Sequence, residues 1–169
     1  MATQLAEGLA YLHDHHVVHR DIKSLNVLVD SRMNVKWADF GLSKIKDHTQ
    51  TIFGQTDISN MPVGSILWMV PEQVKGKVEC LKKADVFSFV VVMWELTTHQ
   101  KPYPGIQILP QIIAAIARGQ TNAIPNDTPP RFSMAIRQCW FKNPWERPSA
   151  RQLANYLAES EHSALMQTI

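Results

Sequence analysis

The sequence predicts a mainly α (α+β) fold of about five to six helices with one short two-stranded β-hairpin. Apolar residues recur at helical spacing in several separate segments. Only two short β-branched runs interrupt them, and proline or glycine marks the segment ends. The chain has 169 residues, of which 45% are hydrophobic and 19% charged. It is long enough to bury one core and too apolar to be disordered.

Residues from about Ala2 to His16 read as a helix, with Leu5, Leu9 and Leu12 on one face. Met1 to Leu5 offer no convincing cap, so the helical period is already running at the first residue. Val27–Val29 and Asn34–Trp37 read as the two strands of the hairpin, joined by the polar turn 30–33. The stretch from Leu42 to Pro62 holds no sustained period and reads as a long loop, of a length usually functional or mobile.

Val86–Met93 is the longest apolar run, followed closely by Trp94 and Leu96. It predicts a helix over 86–97 that is buried on most of its circumference, with Asp85 at the N-cap position. The run is far shorter than the ~20 residues that span a bilayer. Pro110 to Arg118 reads as a further helix, with Gly119 at its exit. Another runs from Pro130 to about Phe141 and stops before Pro144. Ser149 to Gln152 has the form of a capping box and opens the last helix.

Charge excludes some partners. The 17 basic and 15 acidic residues leave a net charge of +2, and no basic stretch could track a phosphate backbone. Nucleic acid and membrane are therefore not expected partners. Cys80 and Cys139 lack CxxC spacing. With no signal peptide at the start, they read as reduced thiols of an intracellular, cytoplasmic protein.

His19-Arg-Asp-Ile-Lys-Ser-Leu-Asn26 fits the pattern H-R-D-x-x-x-x-N, and thirteen residues later comes Asp39-Phe-Gly41. Gly64 to Glu72 ends in Trp-Met-Val-Pro-Glu, Asp85-Val-Phe-Ser-Phe-Val follows, and Cys139-Trp140 precedes Pro144 and Arg147-Pro148. In this order the motifs resemble the C-terminal lobe of a eukaryotic protein kinase domain along nearly the whole chain. The lobe would span 1–160, with a catalytic loop at 19–26, an activation segment at 39–72 and a tail at 161–169.

The resemblance implies Mg-ATP-dependent phosphoryl transfer to protein, a reaction governed by positioning and charge neutralisation. Asp21 would accept the proton of the substrate hydroxyl, and Lys23 would set a positive charge beside the transferring group. Asn26 and Asp39 would offer oxygen ligands to Mg²⁺, and Leu28 would pack beneath the adenine of ATP. Arg20 would meet a phosphate on the activation loop, with Ser43, Thr49, Thr51, Thr56 and Ser59 as candidate acceptors. Arg147 would pair with Glu72, and His19 would pack under Phe40 beside Gly41. Asp85 would bind catalytic-loop amides, a role compatible with its reading as an N-cap.

Ile22-Lys-Ser-Leu-Asn26 and Trp68-Met-Val-Pro-Glu72 together resemble the tyrosine-kinase-like group, and Ser65 keeps a hydroxyl beside Asp21 and Lys23 where serine/threonine enzymes carry threonine. That group mostly phosphorylates Ser or Thr. The histidines at 13, 15, 16 and 19 also invite a metal reading, but adjacent His15 and His16 point apart on a helix and no cysteine lies nearby.

A complete kinase domain also needs a small N-terminal lobe with a Gly-rich loop, a strand lysine and a helix glutamate. No GxGxxG occurs in these 169 residues, and only 18 precede His19. ATP and Mg²⁺ are thus expected to bind weakly or not at all to the chain alone, which is expected to be inactive by itself. A missing N-lobe or upstream segment becomes an expected partner beside the protein substrate. The alternative is a non-catalytic protein-interaction module. Val70, Phe87 and Val90 depart from the family's usual Ala, Trp and Gly, and Val90 adds volume inside the buried helix.

Overall fold

The computed structural model describes residues 1–45, 63–78 and 80–166. Six α-helices stand among them: α1 (Ala2–Asp14), α2 (Pro71–Val74), α3 (Leu81–Thr98), α4 (Leu109–Ala117), α5 (Pro130–Cys139) and α6 (Ala150–Met166). Two antiparallel strand pairs accompany them. The hairpin pairs β2 (Val27–Val29) with β3 (Val35–Trp37), in the register Val27 to Trp37. A second pair, absent from the sequence reading, joins β1 (Val17–Val18) to β4 (Lys44–Ile45). It makes the first residues after Ser43 a strand rather than loop.

α3 is the axle of the fold. Every residue from Ala84 to Trp94 is buried, because α1, α5, α6 and the helical turns at 63–68 and 144–146 pack around it. A helix apolar on all sides needs such a surround. The departures Val70, Phe87 and Val90 all lie in the main core, and Val70 and Val90 are wholly enclosed. Phe87 also packs beneath the Arg147 guanidinium, 4.9 Å from carbon to ring centroid.

α3 begins one turn earlier than the sequence suggests, since Leu81 packs on the main core and Cys80 takes the cap position. Asp85 is therefore not the N-cap. It lies inside the helix, where its carboxylate is free of the helix's own amides.

α1 packs against α6 and β3. Leu5 and Leu9 are buried, but the buried face continues through His13 while Leu12 is only half-buried. A side chain at Gly8 would meet the Trp37 ring at 3.3 Å. Glycine there lets the indole close on the helix and donate from Nε1 to the Leu5 carbonyl at 2.9 Å.

A smaller apolar cluster of Ile66, Met69, Tyr103, Ile112, Ala115 and Ile116 seats the 63–68 turn on α4. α4 leaves through Gly119 at φ +77, a conformation that glycine adopts without steric cost. α6 opens with the capping box: the Gln152 amide donates to Ser149 Oγ, and the Ser149 amide donates to Gln152 Oε1. α6 continues to Met166, past residue 160 where the sequence reading sets a tail. No helix among the described residues is long and apolar enough to cross a membrane.

Candidate active site

The 19–26 loop leaves β1 and is gripped at once from α3. Asp85 Oδ2 accepts the His19 amide and Oδ1 accepts the Arg20 amide, each at 2.9 Å. The His13 imidazole Nε2 lies 2.9 Å from the same Oδ2, so α1 is tied into this contact. Arg20 has φ +69, a left-handed conformation that costs a side-chain-bearing residue roughly 1–2 kcal/mol. The Asp85 hydrogen bonds hold it there.

His19 is fully buried. Its Nε2 lies 3.1 Å from the Ala38 carbonyl, and its ring stands 5.0 Å from that of Phe40. The strand end and the Asp39-Phe-Gly41 turn are thereby joined to the loop.

Asp21, Lys23, Asn26 and Ser65 come together. Lys23 Nζ donates to Asp21 Oδ2 at 2.6 Å and to Ser65 Oγ at 2.9 Å. Asn26 Nδ2 donates to the Asp21 carbonyl at 2.8 Å and to Asp21 Oδ2 at 3.0 Å. Both side-chain bonds to Asp21 fall on Oδ2, which leaves Oδ1 for another proton. The amide hydrogens of Asn26 are likewise spent on Asp21, which turns its Oδ1 to other uses.

The Ala38 amide donates to the Asn26 carbonyl at 2.8 Å, which ties the residue before Asp39 to the 19–26 loop. Asp39 has φ +58, and its Oδ1 accepts the Gly41 amide at 3.2 Å. A side chain at Gly41 would press on that oxygen at 3.1 Å.

Asn26 and Asp39 thus offer oxygen donors of the kind Mg²⁺ takes when phosphate and water complete its shell. No cluster of three or more His, Cys, Asp or Glu that could hold a metal occurs among the described residues. The donor set suits a cation shared with a phosphate ligand rather than one caged by protein.

Leu28 points outward from β2 and is 63% exposed, in company with Leu25, Val29, Phe40 and Leu42. Val29 lies on the other face of β2 from Leu28, toward Met1, Leu5 and Val35. Ser43 Oγ lies 3.4 Å from the His19 carbonyl. Thr49, Thr51, Thr56 and Ser59 lie outside the described residues, as does any contact of theirs with Arg20.

Behind the site, Arg147 meets Glu72 through two parallel bonds, Nη1 to Oε1 at 2.6 Å and Nη2 to Oε2 at 3.0 Å. Arg147 also donates from Nε to the Phe141 carbonyl at 2.9 Å, and the Lys83 ammonium donates to the Arg147 carbonyl. The start of α2, and with it the end of the 63–72 segment, is fixed to the base of the fold.

Two residues of this network escape the sequence reading. His13 enters it only as a possible metal ligand, yet it faces Asp85. Glu95, near the C-terminal end of α3, accepts Ser24 Oγ at 3.0 Å and Trp68 Nε1 at 2.7 Å. Burial raises its carboxyl above the usual range, and the bonds from Trp68 and Ser24 offset part of that. A lone carboxylate between Trp94 and Leu96 was the available signal.

Compared with known proteins, the chain matches over residues 1–157 the family described as protein tyrosine and serine/threonine kinase. It is 40% identical over 159 residues to a probable serine/threonine-protein kinase of Dictyostelium discoideum, covering 94% of this chain and 16% of that protein. The dual specificity protein kinase shkA of the same organism is 38% identical, with 94% of this chain and 30% of that protein covered. A serine/threonine/tyrosine-protein kinase of Arabidopsis thaliana is 35% identical over 88% of this chain and 36% of its own length. The chain therefore spans well under half the length of these relatives.

Proposed function

This chain belongs to the protein tyrosine and serine/threonine kinase family, and we propose that it supplies the hydroxyl-side half of an ATP:protein phosphotransferase site acting on Ser or Thr. The observation that carries this reading is the cluster in which Asp21 Oδ2 receives both Lys23 and Asn26. Two donors on one oxygen leave the other to orient a substrate hydroxyl and take its proton. Lys23, held between Asp21 and Ser65, keeps its ammonium where charge grows on a transferring group.

Asn26 and Asp39 are the residues that would hold Mg²⁺, which when bound neutralises phosphate charge. Leu28, exposed on β2, suits the face of an adenine ring. A choice of Ser or Thr is supported by Ser65 beside Lys23 and by the names of the relatives, which include serine/threonine and dual specificity kinases.

The 169 residues hold no Gly-rich loop to cover the ATP phosphates. The chain alone is therefore assigned no transfer activity, and a small lobe must complete the site. The test joins this chain to the N-terminal lobe of one of the relatives above. Radiolabelled ATP and a Ser/Thr-rich protein are the substrates. Transfer by the joined protein, none by the chain alone, and loss of transfer in Asp21→Asn are expected. A folded joined protein without transfer, or one indifferent to Asp21→Asn, would overturn the reading in favour of a non-catalytic interaction module.

A further inference from the structure

The kinase reading assigns no role to Glu95, although burial raises its carboxyl above the usual range. Its carboxylate is half-buried and accepts hydrogen bonds from two neutral donors, Ser24 and Trp68. Burying a carboxylate without a cation is expensive unless its oxygens are used. Each oxygen is used once, Oε1 by the Ser24 hydroxyl and Oε2 by the Trp68 indole. Glutamine could accept at only one of these atoms.

The placement of the two donors gives the carboxylate its meaning. Ser24 follows Lys23 in the catalytic loop, and Trp68 lies three residues after Ser65. Lys23 and Ser65 are themselves bonded at 2.9 Å. The loop and the 63–68 turn are thus joined twice, once by Lys23 to Ser65 and once through Glu95. α3 fixes the Trp68 end a second time, because Ser88 Oγ donates to the Trp68 carbonyl at 2.7 Å. Asp85 holds the start of the same loop ten residues earlier on α3, roughly 15 Å along the axis at 1.5 Å per residue.

We propose that Glu95 is a positioning residue for phosphoryl transfer, holding Ser24 and Trp68 so that Lys23 stays between Asp21 and Ser65. This rests on the kinase reading above. Glu95 also lines an apolar cleft of about 250 Å³ between α1, the hairpin and α3, walled by Met1, Leu5, Val27, Val35 and Val92. His99, one turn on, is the other titratable side chain on that wall. Protonating Glu95 would remove the charge that its two donors satisfy, so the clamp should weaken on mild acidification.

The test has two arms. In the first, the indole N–H signals of the ¹⁵N-labelled 169-residue chain are followed by NMR from pH 4 to 8, with Trp68 assigned through Trp68→Phe. The Trp68 signal should titrate above the ordinary carboxylate range, and Glu95→Gln should abolish that titration. In the second, Glu95→Gln, Ser24→Ala and Trp68→Phe are placed in the joined kinase. Each should lower kcat, Glu95→Gln on the order of ten- to a hundredfold, with little change in KM for ATP. Adding Ser24→Ala to Glu95→Gln should cost less than the sum of the two.

A Trp68 signal indifferent to pH and to Glu95→Gln overturns the proposal. So does unchanged kcat in all three variants of an enzyme that Asp21→Asn still silences. Indifference to Asp21→Asn would instead defeat the kinase reading itself. If Glu95→Gln does not fold, Ser24→Ala and the indole titration of the unaltered chain decide the matter.

Discussion

The Arg20 backbone, at φ +69, donates its amide to Asp85 Oδ1 at 2.9 Å, so a residue of α3 holds the catalytic loop in a conformation that it would otherwise leave. Asp85 serves the His19 amide as well. Asp85→Ala should therefore destabilise the chain by about 3–5 kcal/mol, since each hydrogen bond to a charged group is worth about 1.5–3 kcal/mol. Asp85→Asn should fall between, because one amide can still be accepted while the new NH₂ faces donors. Urea denaturation followed by circular dichroism measures both. A loss under 1 kcal/mol for Asp85→Ala would show that the loop does not depend on this grip.

Arg147 and Glu72 lend themselves to a double-mutant cycle. The guanidinium is almost completely enclosed, and removing one member of such a buried pair typically costs about 3–5 kcal/mol. Arg147→Ala should pay that cost. Arg147→Lys should recover little, since one ammonium cannot make two parallel bonds. Glu72→Gln in the Arg147→Ala background should restore part of the stability by removing the stranded charge. Additive losses in the cycle would contradict the pairing as the source of the effect.

Much of this was legible in the sequence, for identifiable reasons. The hairpin is carried by its two short β-branched runs, α6 by its capping box, and the buried helix by an apolar run broken only at Ser88. Asp85 was misjudged as a cap because an apolar run does not reveal where its helix begins. Leu81 extends α3 by packing on the core, and only tertiary structure shows that. The β1–β4 pair is two residues long on each side, too short for any alternation to appear. Glu95 was visible as a charge in an apolar setting, but its donors lie 71 and 27 residues away in sequence. No local pattern could join them.

Ser65 offers a sharper test of the catalytic cluster than the fully disabling changes. Ser65→Ala removes one of the two acceptors of Lys23 and leaves Asp21 in place. In the joined kinase, kcat should fall about ten- to a hundredfold, the scale of a small misplacement of a reacting group. Ser65→Thr keeps the hydroxyl and should retain most activity. Equal loss in both variants would point to packing at position 65 rather than to the bond with Lys23.

Burial pushes both the Cys139 thiol and the Tyr103 hydroxyl up to about 12, from 9.0 and 10.0 respectively. Below about pH 8 both groups keep their protons in the folded and unfolded chain, so neither contributes a pH dependence there. Between about 9 and 12 the unfolded chain releases protons that the folded chain retains, and stability must fall as pH rises. The loss should begin with Cys139 near pH 9 and steepen above pH 10 as Tyr103 joins it. Urea midpoints from pH 8 to 11 measure the slope, and Cys139→Ala should delay its onset to pH 10. The same burial should shield the Cys139 thiolate from a thiol reagent at pH 8 until the chain unfolds. Fast labelling of Cys139 in the native chain would mean that the α5 core opens far more readily than its packing implies.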